Sequence, residues 1–189
     1  MFSIDKEFQC AYGHRIHNQK LNSLFSISGT CKCRRLHGHQ MLLKIGLQAD
    51  ELHNGMVTDF NHLAWVKEIV DDVIDHRFLM DEHDPMLKML FPEVETFRDC
   101  LVDHGWYKMF DVDRLASKLD AVDEIRDIVI EKCSSLVLLD FLPTSENLCK
   151  WFFDIACSKM QEFSDAEGFR VAYVEFWETP KSHCRYDAK

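Results

Sequence analysis

The spacing of apolar residues along the chain predicts both strands and helices. Residues 5–12 and 39–48 (HQMLLKIGLQ) are short apolar-rich runs bounded by Gly, Asn and Asp, which marks them as strands. FRVAYVEFW (169–177), dense in β-branched and aromatic residues, predicts another strand, and SSLVLLDFL (134–142) a further one. In NHLAWVKEIVDDVIDH the apolar positions Leu63, Val66, Ile69, Val70, Val73 and Ile74 recur at intervals of three and four. That period places them on one face of an amphipathic helix ending near Asp75, with Asp59 of GMVTDF set to cap its start. A second helix is predicted from about Ser145, carrying Leu148, Trp151, Phe152 and Ile155 on one face behind Thr144 as N-cap. Residues 86–133 are charged and helical in pattern and hold no chemical motif. They read as an accessory helical insertion, outside the sheet, in a single domain spanning 1–189.

Composition narrows the class. The chain has 189 residues, 47% hydrophobic and 29% charged, the balance of one globular domain with a sizeable core. No apolar run approaches the roughly 18 residues of a membrane span, and MFSIDKEFQC has neither the basic nor the apolar region of a signal peptide. Cytoplasm is therefore the expected location, and the eight irregularly spaced cysteines are expected as reduced thiols. A net charge of −10 argues against nucleic acid as a partner. Against that background the cluster Lys32, Cys33, Arg34, Arg35 is a cationic island suited to a small anionic ligand.

The stretch CKCRRLHGH (31–39) concentrates the candidate chemistry. On a strand, residues two apart share a face, so His37 and His39 form half of a divalent-metal site. A catalytic zinc takes three protein ligands and keeps an open position, and His14 of AYGHR is a candidate third. A closed set of Cys31, Cys33, His37 and His39 is the alternative, with His17 a further spare; spacing alone does not choose between them. Nearby cations favour the thiolate of Cys33, which makes it a candidate base or nucleophile, with Cys31 second. Cys10, Cys100, Cys133, Cys149 and Cys157 read as small buried apolar residues. In DHRFL, Asp75 stands beside His76, where a carboxylate can raise imidazole basicity or the pair can complement a helix terminus.

GHRI, C-x-x-x-HGH, GMVTDF, DHRFL, PTSEN (143–147) and WETP (177–180) occur in the order found in the 6-pyruvoyl-tetrahydropterin synthase and 6-carboxy-tetrahydropterin synthase family, which the chain therefore resembles. The resemblance implies the tunnelling fold, a four-stranded antiparallel sheet with two helices on one face, in homo-oligomers built from trimers that stack into hexamers. It implies His14, His37 and His39 as zinc ligands, and Cys33, Asp75, His76 and Glu178 as catalytic residues. Glu178 would also anchor the pterin edge, with Thr144 and Glu146 assisting. Lys32, Arg34 and Arg35 are candidates to receive phosphates or, equally, form a solvated basic loop. The implied substrate is 7,8-dihydroneopterin triphosphate. Three residues between Cys33 and HGH resemble the bacterial 6-carboxy-tetrahydropterin synthases of queuosine biosynthesis, which release triphosphate and acetaldehyde. A 6-pyruvoyl-tetrahydropterin synthase, or a non-catalytic zinc- and pterin-binding paralogue, are the alternatives. The chain departs from the family's usual F-x-A-A before the first histidine, where it reads CAYG.

Overall fold

Two long strands carry the period-two burial that their sequences predict. In β1 (Phe2–His14) the side chains of Cys10, Tyr12 and His14 are buried in alternation with more exposed neighbours. In β2 (His37–Ala49) the odd positions turn inward, so His37 and His39 share a face with buried Met41, Leu43, Ile45 and Leu47. The remaining strands are β3 (Arg77–Asp81), β4 (Leu101–Asp103), β5 (Lys108–Phe110), β6 (Leu136–Leu139), β7 (Phe169–Thr179) and β8 (Ser182–Asp187). The helices are α1 (Ala64–Glu68), α2 (Leu87–Leu90), α3 (Glu93–Thr96), α4 (Val112–Lys118), α5 (Arg126–Ser134) and α6 (Ser145–Glu162). The structure is a computed structural model and describes residues 1–20, 31–120, 124–163 and 168–189.

The strands form one sheet in the order β4-β5-β6-β3-β1-β2-β7-β8. Contacts divide the chain into two compact units, Met1–Ala11 with His39–Asp75 and Thr144–Lys189, and Tyr12–Gly38 with His76–Pro143. In the first, β2 pairs antiparallel with β7, Leu42 opposite Trp177, and β7 pairs antiparallel with β8. Helix α6 packs on β7 and β8, and its fully buried Phe152 stacks on Phe176 with centroids 6.2 Å apart. The predicted helix before Asp75 is a composite. A 3-10 turn (Phe60–Leu63), capped by Asp59 through Asn61 N–H, leads into α1, and Ile69–Ile74 form a wider π turn. Of the expected stripe, Leu63, Val66, Val70, Val73 and Ile74 are buried and Ile69 is half-buried. Asp75 N–H donates to Val70 O at 2.8 Å, five residues back; such widened turns recur at functional sites.

In the second unit, Tyr12–His14 of β1 run parallel to Arg77–Leu79 of β3, and β3 runs parallel to β6. Strand β5 joins β6, and β4 joins β5, both antiparallel. Two expectations are thereby corrected. The sheet is eight-stranded and mixed, not four-stranded and antiparallel; the described residues hold six α-helices, four of them (α2 to α5) in the stretch expected as a helical insertion. Residues 86–133 are not helical throughout and do not lie outside the sheet, because they contain β4 and β5. The cause is the burial of β6, whose four residues LVLL are all covered. Leu87, Phe91, Cys100, Phe110, Leu115 and Cys133 build a core with Met80, Leu136 and Leu138. Strands of three residues are too short to show a period. No helix among the described residues is long and apolar enough to cross a membrane.

Polar contacts fasten the chain that leaves β1. Arg15 Nε lies 3.2 Å from Asp84 Oδ2, both side chains buried, in an ion pair whose approach is not that of a hydrogen bond. His17 Nε2 lies 3.0 Å from Asp81 Oδ2, while His83 donates its backbone N–H to Asp81 Oδ1 at 2.8 Å. Burial pushes the Asp81 carboxyl up, but the bonds from His83 N–H, the His17 ring and the His83 ring outweigh it and hold the carboxyl below its ordinary range. A lowered folded-state value stabilises the fold above the unfolded carboxyl's value of about 3.9, and that contribution is lost as pH falls through the folded value. Asp81→Asn is therefore expected to cost about 1–3 kcal/mol at pH 7. In urea unfolding, its deficit relative to the native chain should shrink as pH falls from 5 towards 3; a pH-independent deficit would remove this role from Asp81.

Candidate metal centre and active site

The site is built on the converging ends of two strands. His14 closes β1 and is fully buried, and His37 opens β2. Their Nε2 atoms are 3.1 Å apart and their ring centroids 4.5 Å. With His39, two residues further along β2, they form a group whose ligand atoms all lie within 4.8 Å of one another. Among the described residues this is the one cluster of three or more His, Cys, Asp or Glu side chains disposed to hold a metal ion. No cysteine belongs to it, so the alternative closed set with Cys31 and Cys33 is not the arrangement found.

The hydrogen bonds decide which nitrogen each ring presents. His14 Nδ1 is 2.7 Å from Pro143 O, and His37 Nδ1 is 2.8 Å from Arg35 O. A carbonyl oxygen only accepts, so both Nδ1 atoms carry the proton and both Nε2 lone pairs point into the cluster. Two neutral acceptors at such a separation repel unless a cation stands between them. Backbone carbonyls on the distal ring nitrogen are the usual outer support of a metal-bound histidine. Three imidazole nitrogens suit zinc and leave a position open for a fourth ligand. The donor set fits a divalent cation.

Glu178 reaches the same place. Its Oε1 lies 3.6 Å from His39 Nε2, with both side chains about four-fifths buried. The resemblance points to Glu178 as a pterin anchor; its approach to His39 was not legible, because it depends on the register of β2 against β7.

Cys33 sits half-buried in a 3-10 turn, Lys32–Arg34, capped by Cys31, whose Sγ accepts Cys33 N–H at 3.4 Å. Cys33 O accepts Ile16 N–H at 2.8 Å, which ties this turn to the residues just past His14. Lys32 and Arg35 are exposed and Arg34 is half-buried. Asp75 is half-buried and accepts Ala11 N–H at 3.0 Å. His76 is exposed and holds φ at +58°, a conformation uncommon outside glycine and frequent at functional positions. Thr144 caps α6 by accepting Asn147 N–H at 3.2 Å, and Glu146 stands exposed in its first turn. Burial pushes the Cys10 thiol up to about 12, with Asp75 and Asp71 adding to the effect, and Cys133 to about 11. Burial also raises Cys100 and Cys149, as expected of inert core thiols, and raises Cys157, which is half-buried rather than in the core as expected.

Comparison with known proteins shows the family. The family model described as 6-pyruvoyl tetrahydropterin synthase matches residues 3–189. A 6-carboxy-5,6,7,8-tetrahydropterin synthase of Aquifex aeolicus is 28% identical, covering 98% of this chain and 97% of its own length. Its counterpart in Haemophilus influenzae is 24% identical over 98% and 99% of the two chains. Among solved structures, an uncharacterized protein of Wolinella succinogenes superposes with a TM-score of 0.86 at 38% identity, covering 100% of this chain and 98% of the other. The 6-pyruvoyl tetrahydropterin synthase of Caenorhabditis elegans gives 0.52 at 20% identity over 100% and 96%, a likeness of fold.

The metal reading has a direct test. Purified protein is expected to bind about one zinc ion per chain, with X-ray absorption showing three nitrogen ligands at about 2.0–2.1 Å. His14→Ala or His37→Ala should abolish stoichiometric binding. Sulfur scattering near 2.3 Å would instead return the ligand set to Cys31 and Cys33.

Proposed function

We propose, for a chain that belongs to the 6-pyruvoyl tetrahydropterin synthase family, that it converts 7,8-dihydroneopterin triphosphate and water to 6-carboxy-5,6,7,8-tetrahydropterin, triphosphate and acetaldehyde. This lyase step belongs to queuosine and 7-deazaguanine biosynthesis. The observation that carries the reading is the cluster of three imidazoles with Glu178 beside it. Names borne by relatives that match nearly the whole chain supply the choice of product.

His14, His37 and His39 would hold a zinc ion, which when bound supplies Lewis acidity towards the hydroxyls of the substrate side chain. Every other task falls to protein groups. Cys33, as thiolate, takes a proton from the side chain, and the cations flanking it in sequence favour that ionisation. His76, oriented by Asp75, carries the remaining proton transfers. Glu178 accepts the paired N–H donors of the amino-pyrimidinone edge, a bidentate contact strengthened by charge, and Thr144 and Glu146 contribute beside it. Lys32, Arg34 and Arg35 receive the triphosphate and stabilise it as it leaves. The protein carries out this reaction as a homo-oligomer in the cytoplasm.

The second reading, elimination of triphosphate to give 6-pyruvoyl-tetrahydropterin, is favoured by the description of the family model itself. Incubation with 7,8-dihydroneopterin triphosphate and analysis by mass spectrometry separates the two, since only the first releases acetaldehyde. No turnover by zinc-loaded protein would leave a binding protein. Variants assign the roles. Cys33→Ala is expected to lower single-turnover rates about 10²–10⁴-fold with zinc content and substrate affinity nearly unchanged. Glu178→Gln should weaken substrate binding by roughly 2–3 kcal/mol. Cys31→Ala should do neither, and a dead Cys31→Ala beside a working Cys33→Ala would transfer the base to Cys31.

A further inference from the structure

Three strands come unusually close where the histidines converge, and they do so at positions without a Cβ. A Cβ built on Gly38, between His37 and His39, would lie 2.9 Å from Tyr12 O on β1. A Cβ built on Gly13, immediately before His14, would lie 2.6 Å from Cδ2 and 3.2 Å from Cε2 of Phe78, and 3.5 Å from His37 O. Real Cβ atoms do not approach another heavy atom so closely as the first of these distances. The space beside Gly13 belongs to the Phe78 ring, which faces it in the parallel register Gly13 to Phe78 and His14 to Leu79.

Phe78 is half-buried, and its backbone is held on both sides. Its ring packs against the core of Met80, Leu136, Leu138 and their neighbours, its N–H donates to Ser135 O at 2.7 Å, and its Cα pairs with Leu136. A methyl group at position 13 would meet this ring on one side and the His37 carbonyl on the other. Where β1 yields, the shift passes directly to His14, to which Gly13 is covalently joined. Metal–ligand distances tolerate about 0.2 Å, so a shift of a few tenths of an ångström at Gly13 reaches the cluster as lost affinity.

Resting on the proposed metal centre, we infer that Phe78 is a positioning residue, size-matched to Gly13, which sets the seating of β1 against β3 and thereby the placement of His14 relative to His37. Phe78 touches neither metal nor substrate in this role; it acts through the backbone of Gly13. Its position two residues beyond His76 means that the same packing fixes the start of the strand that follows this second catalytic candidate.

Size complementation tests the inference. Metal-stripped native chain, Gly13→Ala, Phe78→Leu and the double variant are titrated with cobalt(II), followed by its visible absorption, alongside thermal unfolding. Gly13→Ala is expected to raise the cobalt dissociation constant about 10–100-fold, the usual worth of an outer support. Phe78→Leu alone, which shortens the ring edge to a branched methyl, should lower cobalt affinity severalfold by loosening the seating of β1, and in the double variant it should recover at least about tenfold of the Gly13→Ala loss. Recovery of melting temperature without recovery of cobalt affinity would indicate a structural role only and overturn the inference. So would native affinity in Gly13→Ala, or an equal loss in the single and double variants. If Gly13→Ala does not fold, the double variant is expected to fold and bind cobalt, and its failure counts against the inference. Pterin turnover is measured separately. Complementation without turnover in the native chain sinks the proposed reaction alone, whereas turnover without complementation sinks this inference alone.

Discussion

Three imidazoles can share one cation only if each turns a lone pair towards it, and a neutral imidazole has one lone pair to give. In this chain the choice is made by two backbone carbonyls, those of Pro143 and Arg35, which take the Nδ1 protons of His14 and His37. Side chains do not supply this constraint, so it depends on the path of the main chain around the site. Pro143 precedes the helix capped by Thr144, and Arg35 closes the turn that holds Cys33. The segment bearing the candidate thiol thus ends, and the one bearing the candidate pterin contacts begins, where the histidine tautomers are set. The arrangement joins binding and chemistry through short stretches of chain.

Around that centre, polar and apolar forces divide the work. Arg15 and His17, just past His14, are held by Asp84 and Asp81, so the strand end cannot drift without breaking a buried ion pair. Removing one partner of such a pair strands a charge in a region of low polarisability, which makes the fastening stiff even where its net stabilisation is small. The apolar side of the same unit comes largely from the charged segment 86–133. Its exposed faces carry ion pairs such as Lys88 with Glu95, and its inward residues complete the core over β3 and β6. A segment without a chemical motif therefore supports the strand that starts beside His76.

The candidate residues differ in what their surroundings ask of them. His14 is wholly buried with its hydrogen bond satisfied, as a ligand of fixed orientation requires, while His76 is exposed in a left-handed backbone conformation. A proton carrier must reach substrate and solvent, and a strained exposed position provides that access. The cysteines separate in the same way. Cys33 is half-buried in a turn among cations, whereas Cys10 and Cys133 are raised by burial into the range of unreactive thiols.

Much of this was legible in the sequence because it is local. The two-residue spacing of HGH on a strand put His37 and His39 on one face, the three-and-four spacing before Asp75 predicted a buried stripe, and Thr144 and Asp59 capped where expected. The ordered motifs identified the family, and with it His14 as the expected third ligand. What the sequence left open was every relation between distant segments. The mixed order of eight strands rests on β3, β4 and β5, of five, three and three residues, too short to carry a period, and on the exposed polar edge strand β8. The approach of Glu178 to His39 depends on the register of β2 against β7, which a shift of one residue would undo. The protonated nitrogen of each ligand depends on carbonyls 129 residues away for His14 and two away for His37. Local pattern encodes which face a residue takes; only the assembled sheet decides what that face meets.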